Sequence, residues 1–185
     1  MHGLFLAFTI DYLEERFGLD VLDEVIGSLD LVTEGAYTAV SSYPTQELLS
    51  IVFGVADRVA ISREILMQDV GEALIPALRQ RHPGAFEEVH NTLDFVSKVH
   101  EHIHLAVRQR YPGTRPPDLL VSRRGKVGHI VYRSSRPLAD LAIGMLRGCI
   151  AMFGGNERVE ILATDERGFS AELYLHGTGA RARSA

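Results

Sequence analysis

Apolar residues at helical spacing dominate the first 110 positions of the chain. Recurrence every three or four residues predicts amphipathic helices, and Gly18 and Tyr43-Pro44 are typical of the turns between them. Ser62 precedes one segment as an N-cap, and a break is expected near Asn91 in the last and longest one. The predicted helices are 4–17, 21–29, 46–59, one that begins after Ser62 and includes Leu74, a separate short one at 75–81, and 86–110.

The pattern changes after Tyr111-Pro112-Gly113, which should stop the last of these helices. Alternating apolar and polar residues then predict two hairpins, with a long helix between them that closes at Gly154-Gly155. The fold class is therefore α+β: a helical N-terminal part and an antiparallel sheet of about four strands crossed by a long helix. We expect one domain at 1–176, with a helical subdomain at 1–60, and a disordered tail at 177–185. The predicted strands are 119–123, 127–133, 159–164 and 170–176, and the helix is 138–153.

Composition excludes several classes of protein. The 185 residues carry a formal net charge of −5, which argues against a nucleic-acid or general phosphate-binding role. Cys149 is the only cysteine, so an internal disulfide and a cysteine-based zinc site are excluded. No apolar run is long enough for a membrane span, and Met1-His2-Gly3 lacks the basic start of a signal peptide. We therefore expect a cytoplasmic protein.

Candidate chemistry is concentrated in Tyr132-Arg133-Ser134-Ser135-Arg136. In an extended strand, alternate side chains point to one face, so Tyr132, Ser134 and Arg136 would present two hydroxyls and a guanidinium together. Arginine forms a forked pair with a carboxylate, and the hydroxyls can donate to the remaining oxygens. The triplet therefore indicates a ligand with one or two carboxylates, although a polar strand edge would look the same.

Three histidines lie within one turn and a half of the longest predicted helix. His100 and His104 should share a face, and His102 should point elsewhere. A histidine beside an apolar stripe is most often a half-buried residue satisfied by water or a carbonyl. The letters His100-Glu101-x-x-His104 also match the order of a zinc-hydrolase helix, so a zinc-dependent hydrolase stays open as an alternative.

Together, these motifs resemble the H-NOX family of haem-based nitric oxide and oxygen binding domains, of the stand-alone bacterial type. The resemblance runs from Met1 to about Tyr174, and its strength lies in the order and spacing of its pieces. These pieces are Met1-x-Gly3-Leu4, Phe17-Gly18, Ser42-Tyr43-Pro44, Val70-Gly71-Glu72, His104, Tyr111-Pro112-Gly113, Pro116-Pro117, Tyr132-x-Ser134-x-Arg136 and Gly144-Met145-Leu146.

The resemblance implies a haem b cofactor held between the helices and the sheet. His104 matches the proximal histidine that binds the haem iron, while Tyr132, Ser134 and Arg136 match the residues that hold the propionates. Pro117 matches a proline that presses on the porphyrin, although a simple turn would also explain it. His100 stands where the family usually has an apolar residue, so it remains a candidate alternative ligand, a proximal hydrogen-bond partner or an exposed bystander.

The pocket opposite the histidine should decide which gas is bound. Members of the family that hold oxygen stably place a tyrosine five residues after the motif's arginine, and here that position is Leu141. Thr9 and Leu66 match other positions of this pocket that can be polar, and Phe5 and Leu74 are expected to line it. Without a phenol donor, we expect nitric oxide and carbon monoxide to bind and oxygen to be excluded. Leu141 would equally suit the apolar core of its helix.

The expected function is thus a gas sensor and not an enzyme. In the family, nitric oxide weakens or breaks the bond between iron and the proximal histidine, which would let the helix bearing His104 move relative to the sheet. These residues contain no kinase, cyclase or chemotaxis module, so the signal would pass in trans to a histidine kinase or a cyclic-dinucleotide enzyme. A haem-free interaction module with the same fold and the zinc hydrolase remain as alternatives.

Overall fold

The computed structural model describes residues 1–110 and 113–177 and has the predicted α+β architecture. Helices form most of the N-terminal half, and an antiparallel sheet with one long helix forms the rest. Tyr111, Pro112 and most of the predicted tail, residues 178–185, lie outside the described part. The helices are α1 (Gly3–Phe17), α2 (Leu19–Ser28), α3 (Thr45–Arg58), α4 (Arg63–Arg81), α5 (Thr92–Lys98), α6 (His104–Arg110) and α7 (Ala139–Phe153), and the strands are β1 (Asp118–Arg124), β2 (Val127–Arg133), β3 (Arg158–Thr164) and β4 (Ser170–His176).

Local capping explains where the N-terminal helices begin and end. Nδ1 of His2 accepts a hydrogen bond from the backbone N–H of Leu4 at 3.3 Å, at the start of α1. α1 ends at Gly18, whose φ of 90° lies in the region that favours glycine. Oγ of Ser62 accepts from the backbone N–H of Ile65 at the start of α4, as the sequence predicts. No helix of the described residues is long and apolar enough to cross a membrane.

The predicted boundary between two helices near Ile75 is wrong, because α4 runs without interruption to Arg81. Proline normally ends or kinks a helix, and Pro76 cannot donate to the carbonyl of Glu72 four residues earlier. Here α4 lies so close to α7 that a Cβ on Gly148 would stand 2.5 Å from that same carbonyl oxygen. Packing between α4 and α7 therefore outweighs the tendency of Pro76 to end the helix, which is the only signal that the sequence gives at this point.

The segment that carries the histidines also differs from the single long helix predicted for 86–110. Pro83–Phe86 is a short 3-10 helix, and α5 begins after Asn91, whose side chain accepts from the backbone N–H of Asp94. The break near Asn91 is thus confirmed. A π-helical turn, Val99–Ile103, separates α5 from α6, and the N–H of His104 bonds to the carbonyl of Val99 five residues earlier. Such turns insert one extra residue into a helix and occur often at functional sites.

The sheet has the order β1-β2-β4-β3, and every neighbouring pair is antiparallel. Its two central strands alternate strictly between buried and partly exposed positions, so one face packs inward. This face forms a hydrophobic cluster with α7 and with Leu93 of α5. The strand and α7 boundaries agree with those predicted to within one residue. The buried residues of the cluster are Leu93, Ile130, Tyr132, Ala139, Ile143, Leu146, Ala171, Leu173 and Leu175.

Glycines allow α7 to lie directly against α4 and so join the sheet to the N-terminal helices. A Cβ on Gly144 would overlap the backbone carbonyl of Gln68, and one on Gly71 would overlap the carbonyl of Leu141. The side chains of Gln68 and Asp140 add a hydrogen bond of 2.7 Å between the same two helices. The Gly144-Met145-Leu146 motif therefore has a packing role at this contact.

We expect Gly144→Ala to lower the melting temperature of the protein. The added methyl group meets a backbone atom that cannot turn aside, and overpacking of this kind costs about 1–3 kcal/mol, or roughly 2–12 °C for a chain of this size. Gly27→Ala is the matched control, because it lies inside α2 with open space around its Cβ and should hold or raise the melting temperature. Thermal unfolding followed by circular dichroism compares the two, and equal changes would contradict the close contact.

Candidate functional site

His104 is half-buried at the start of α6, directly after the π-helical turn. Burial lowers the pKa of its imidazole to about 4, and a backbone hydrogen bond with Pro117 acts in the opposite direction. That contact still leaves Nδ1 buried, with no hydrogen-bond partner among the described residues. The ring is therefore held neutral, with an unsatisfied nitrogen, and a neutral imidazole of this kind is a common ligand for a transition metal.

Arg136 also has an unsatisfied polar atom. One of its terminal nitrogens, Nη2, donates to the backbone carbonyl of Arg115 at 3.0 Å. Its Nε is buried and has no partner among the described residues. A buried guanidinium N–H without an acceptor is costly, so this position favours the arrival of an anionic oxygen such as a carboxylate.

Tyr132 and Ser134 lie close to Arg136, as the sequence predicts, but the predicted cause, a shared strand face, is only partly right. β2 ends at Arg133, so Ser134 and Arg136 lie in the loop before α7 and do not continue a strand face. The loop is fixed because the N–H of Ser134 donates to the carbonyl of Phe169 at 2.9 Å and the N–H of Arg136 donates to Oγ of Ser134 at 3.0 Å.

The phenol of Tyr132 belongs to the same group. Tyr132 is 4% exposed, and burial raises the pKa of its phenol. A side-chain hydrogen bond with Ser134 and the charge of Arg136 oppose this rise, so all three side chains interact. At neutral pH the phenol therefore keeps its proton and can donate it to a ligand.

The loop after α6 joins the two halves of the site. Pro117 contacts His104 through its backbone, and the carbonyl of Arg115, two residues earlier, accepts from Arg136. The imidazole of His104, from α6, and the guanidinium of Arg136, from the segment after β2, therefore contact the same loop. Each of them has a nitrogen without a hydrogen-bond partner among the described residues. No sequence pattern indicates the role of Arg115, because a backbone carbonyl is the same in every residue type.

The other two histidines of the segment have different environments. His102 is exposed, whereas His100 is half-buried like His104, as the predicted helix face requires. Nδ1 of His100 accepts a hydrogen bond of 3.4 Å from the backbone N–H of Leu119 at the start of β1. Residues 1–110 and 113–177 contain no group of three or more histidine, cysteine or acidic side chains that could hold a metal ion, so the zinc alternative finds no third ligand there.

The side chains expected opposite the histidine form an apolar group. Leu66, Leu74 and Leu141 are buried in one hydrophobic cluster, and Phe5 packs against it. Thr9 is 2% exposed, and its hydroxyl donates to the backbone carbonyl of Phe5 at 2.7 Å. The one polar side chain of this predicted set is therefore already committed to the backbone of α1.

The tyrosines that pack against this cluster are committed elsewhere too. The hydroxyl of Tyr37 donates to Oε2 of Glu47 at 2.7 Å. Burial, and to a lesser extent this hydrogen bond, raises the pKa of Tyr37 to about 12. The hydroxyl of Tyr43 accepts from the backbone N–H of Thr38 at 2.8 Å. That of Tyr12 accepts from Arg16, which also pairs with Asp69 on α4. All three hydroxyls therefore have a partner in the N-terminal part of the fold, and that of Tyr37 donates its own proton to Glu47.

These features fit a haem group. Haem needs an axial nitrogen ligand for its iron, partners for two carboxylates and apolar surroundings for the porphyrin. The unsatisfied nitrogen of His104, the unsatisfied Nε of Arg136 and the apolar cluster around Leu141 supply these three kinds of contact. The donor set therefore agrees with the cofactor that the sequence predicts.

The family model for haem-NO-binding proteins matches residues 2–162. The chain therefore belongs to the H-NOX family, a family of haem-based gas-sensing domains, as predicted from the motifs. Haem is the cofactor of this family. A comparison with curated protein sequences found no match.

Solved structures share the fold over almost their whole length. The Fe(II) unliganded H-NOX protein from K. algicida has a TM-score of 0.89 at 21% identity, covering 98% of this chain and 99% of that one. An H-NOX protein from S. oneidensis in the Fe(II)NO state has a TM-score of 0.79 at 24% identity, covering 95% and 98%. An oxygen-binding H-NOX domain, solved as its oxygen complex, has 0.80 at 21%, covering 100% and 99%. One fold thus accommodates different gases, so the fold by itself does not decide gas selectivity.

Proposed function

We propose that residues 1–176 form one haem domain that binds haem b through His104 and senses nitric oxide, with carbon monoxide as a second ligand and oxygen excluded. Tyr132, Ser134 and Arg136 hold the propionates, and Pro117 lies against the porphyrin. The bound group supplies an open iron position for the gas. The observation that carries the proposal is a pair of buried nitrogens, Nδ1 of His104 and Nε of Arg136, that have no hydrogen-bond partner in the part of the chain that the structure describes. The two side chains contact the same loop, at Pro117 and at Arg115.

The selectivity for nitric oxide rests on the apolar cluster. Bound oxygen is polar, and a donor beside it contributes about 1.5–3 kcal/mol in a dry pocket. Leu141 stands where a tyrosine would supply that donor, and it is 3% exposed within the cluster. Thr9 cannot replace it while its hydroxyl donates to Phe5. Nitric oxide and carbon monoxide depend less on such a donor.

The output of the sensor depends on how α6 is held. α6 contacts the π-helical turn before it but packs little on the other elements of the described chain, and Leu105 is 47% exposed. A ligand bond at His104 would therefore be a main restraint on this helix, and its loss would free α6 relative to the sheet.

We place the output in trans and in the cytoplasm. A histidine kinase or a cyclic-dinucleotide enzyme would respond to a change in the position of α6 and of the loop after it, which both His104 and Arg136 contact. This proposal is supported by the family and by the sensor-like arrangement of the site, with His104 placed at the point where a helix is weakly held.

Absorption spectra of the purified chain test the proposed function. The protein should bind one haem per chain. The Soret band of the ferrous form should shift when nitric oxide or carbon monoxide is added, and no oxygen-bound spectrum should appear in air. A protein that stays colourless after haemin is added would overturn the haem proposal. A stable oxygen-bound spectrum would leave haem binding intact but overturn the selectivity, and one zinc per chain that is lost in His104→Ala would favour the hydrolase.

A further inference from the structure

A basic cleft of about 530 Å³ lies between α6, the loop that follows it and the end of β2. Each of these three elements contributes one arginine to its lining, namely Arg108, Arg115 and Arg133. The hydroxyls of Thr114 and Ser135 also line it. These residues, together with Asp118 and Ser134, define the basic cleft, and the three arginine side chains are exposed.

The arginines of the basic cleft have no acidic partner in the described ranges 1–110 and 113–177. Within the described residues, no carboxylate lies within 4.0 Å of a guanidinium nitrogen of Arg108, Arg115 or Arg133. Three arginines elsewhere do have such partners, at 2.6–2.9 Å, in Arg16–Asp69, Arg58–Glu24 and Arg63–Asp57. Asp118 is the one acidic lining residue, so the basic cleft has a formal charge of +2 in a chain whose net charge is −5.

Three arginines that line one cleft favour an anion with more than one charged group. Each guanidinium can form a fork with two oxygens of a phosphate, and the hydroxyls of Thr114 and Ser135 can donate to others. The volume falls within the range of small-molecule sites and is too small for a protein partner of ordinary interface size. The negative charge of the whole chain argues against nucleic acid, whose affinity depends on an extended basic surface.

We propose that the basic cleft binds a small polyanion with two linked phosphate groups, of the pyrophosphate or nucleoside diphosphate class. The arginines of α6, the loop and β2 would each take part, so an occupant would fasten these three elements together. In the loop, the anion would contact Arg115, whose backbone carbonyl accepts a hydrogen bond from Arg136 at 3.0 Å. The site differs from the group formed by Tyr132, Ser134 and Arg136, because Tyr132 and Arg136 do not line the basic cleft and only Ser134 borders both.

Isothermal titration of the full chain with inorganic pyrophosphate, at constant ionic strength and with and without haem, tests this site. We expect saturable binding of one pyrophosphate per chain in both forms. Arg115→Gln combined with Arg133→Gln should weaken the affinity at least about tenfold, because each lost charged hydrogen bond is worth about that factor. Both side chains are exposed, so the fold should be unchanged by circular dichroism.

The control removes two positive charges from another part of the chain. Arg58→Gln with Arg63→Gln should leave pyrophosphate binding within about twofold, since only long-range charge is altered. Equal weakening in both double variants, or no saturable binding at millimolar pyrophosphate, would overturn the proposal. Binding that disappears when haem is loaded would assign these arginines to the haem propionates and would overturn a separate site as well.

Discussion

His104→Ala is expected to leave a protein that loses haem during purification, or that holds it only when imidazole is supplied. His104 is half-buried, burial lowers its pKa to about 4, and its Nδ1 has no hydrogen-bond partner among the residues that the structure describes. Loss of a partner that merely orients a metal ligand costs about 10- to 100-fold in metal affinity, so loss of the ligand itself should cost at least as much. The measurement is the haem content per chain and the ferrous absorption spectrum.

His102→Ala and His100→Ala serve as controls for this experiment. His102 is exposed on the same segment, so its variant should keep the wild-type haem content and spectrum. The Nδ1 of His100 is already used by the backbone N–H of Leu119, so its variant should also retain haem. Normal retention in His104→Ala with loss in His100→Ala would move the iron ligand to His100.

Leu141→Tyr is expected to give the ferrous protein a longer-lived oxygen complex, which dissociates about 10- to 100-fold more slowly than any transient oxygen complex of the unchanged protein or of Leu141→Phe. The phenol would add a donor to an apolar cluster in which the hydroxyl of Thr9 already donates to the backbone, and such a bond is worth roughly 1.5–3 kcal/mol. Stopped-flow mixing with oxygen, followed at the Soret band, measures the dissociation rate.

Leu141→Phe separates the effect of the hydroxyl from that of the ring. Both aromatic residues add similar volume at a site that is 3% exposed, so both can disturb the packing of α7 against Leu66. Only the tyrosine can donate a hydrogen bond. If the two variants dissociate oxygen equally fast, Leu141 does not face the gas, and the selectivity must come from other residues.

The sequence predicts the sheet well, and it predicts that Tyr132, Ser134 and Arg136 lie together, but the reason for the latter is only half right. Alternation in β2 and β4 gives their bounds because each buries one face on α7. The same alternation placed Ser134 and Arg136 on a continued strand face. They come together instead through a loop in which Oγ of Ser134 accepts from the N–H of Arg136, and a two-residue spacing cannot distinguish these conformations.

Other features depend on contacts between distant parts of the chain, which a single sequence does not display. α4 continues through Pro76 because α7 packs against it at Gly148. The π-helical turn before His104 replaces the regular helix that the apolar spacing predicts, since one extra residue hardly changes that spacing. The carbonyl of Arg115 and the orphaned nitrogens become visible only when the loop, α6 and the end of β2 are seen together.

A crystal structure of the ferrous haem-loaded protein, with the iron located by anomalous scattering, tests most directly whether haem is held between His104 and Arg136. We expect one iron per chain bonded to a ring nitrogen of His104, with propionate oxygens on Tyr132, Ser134 and Arg136. Iron bonded to His100, propionates that leave Arg136 untouched, or a protein that takes up no haem would contradict it.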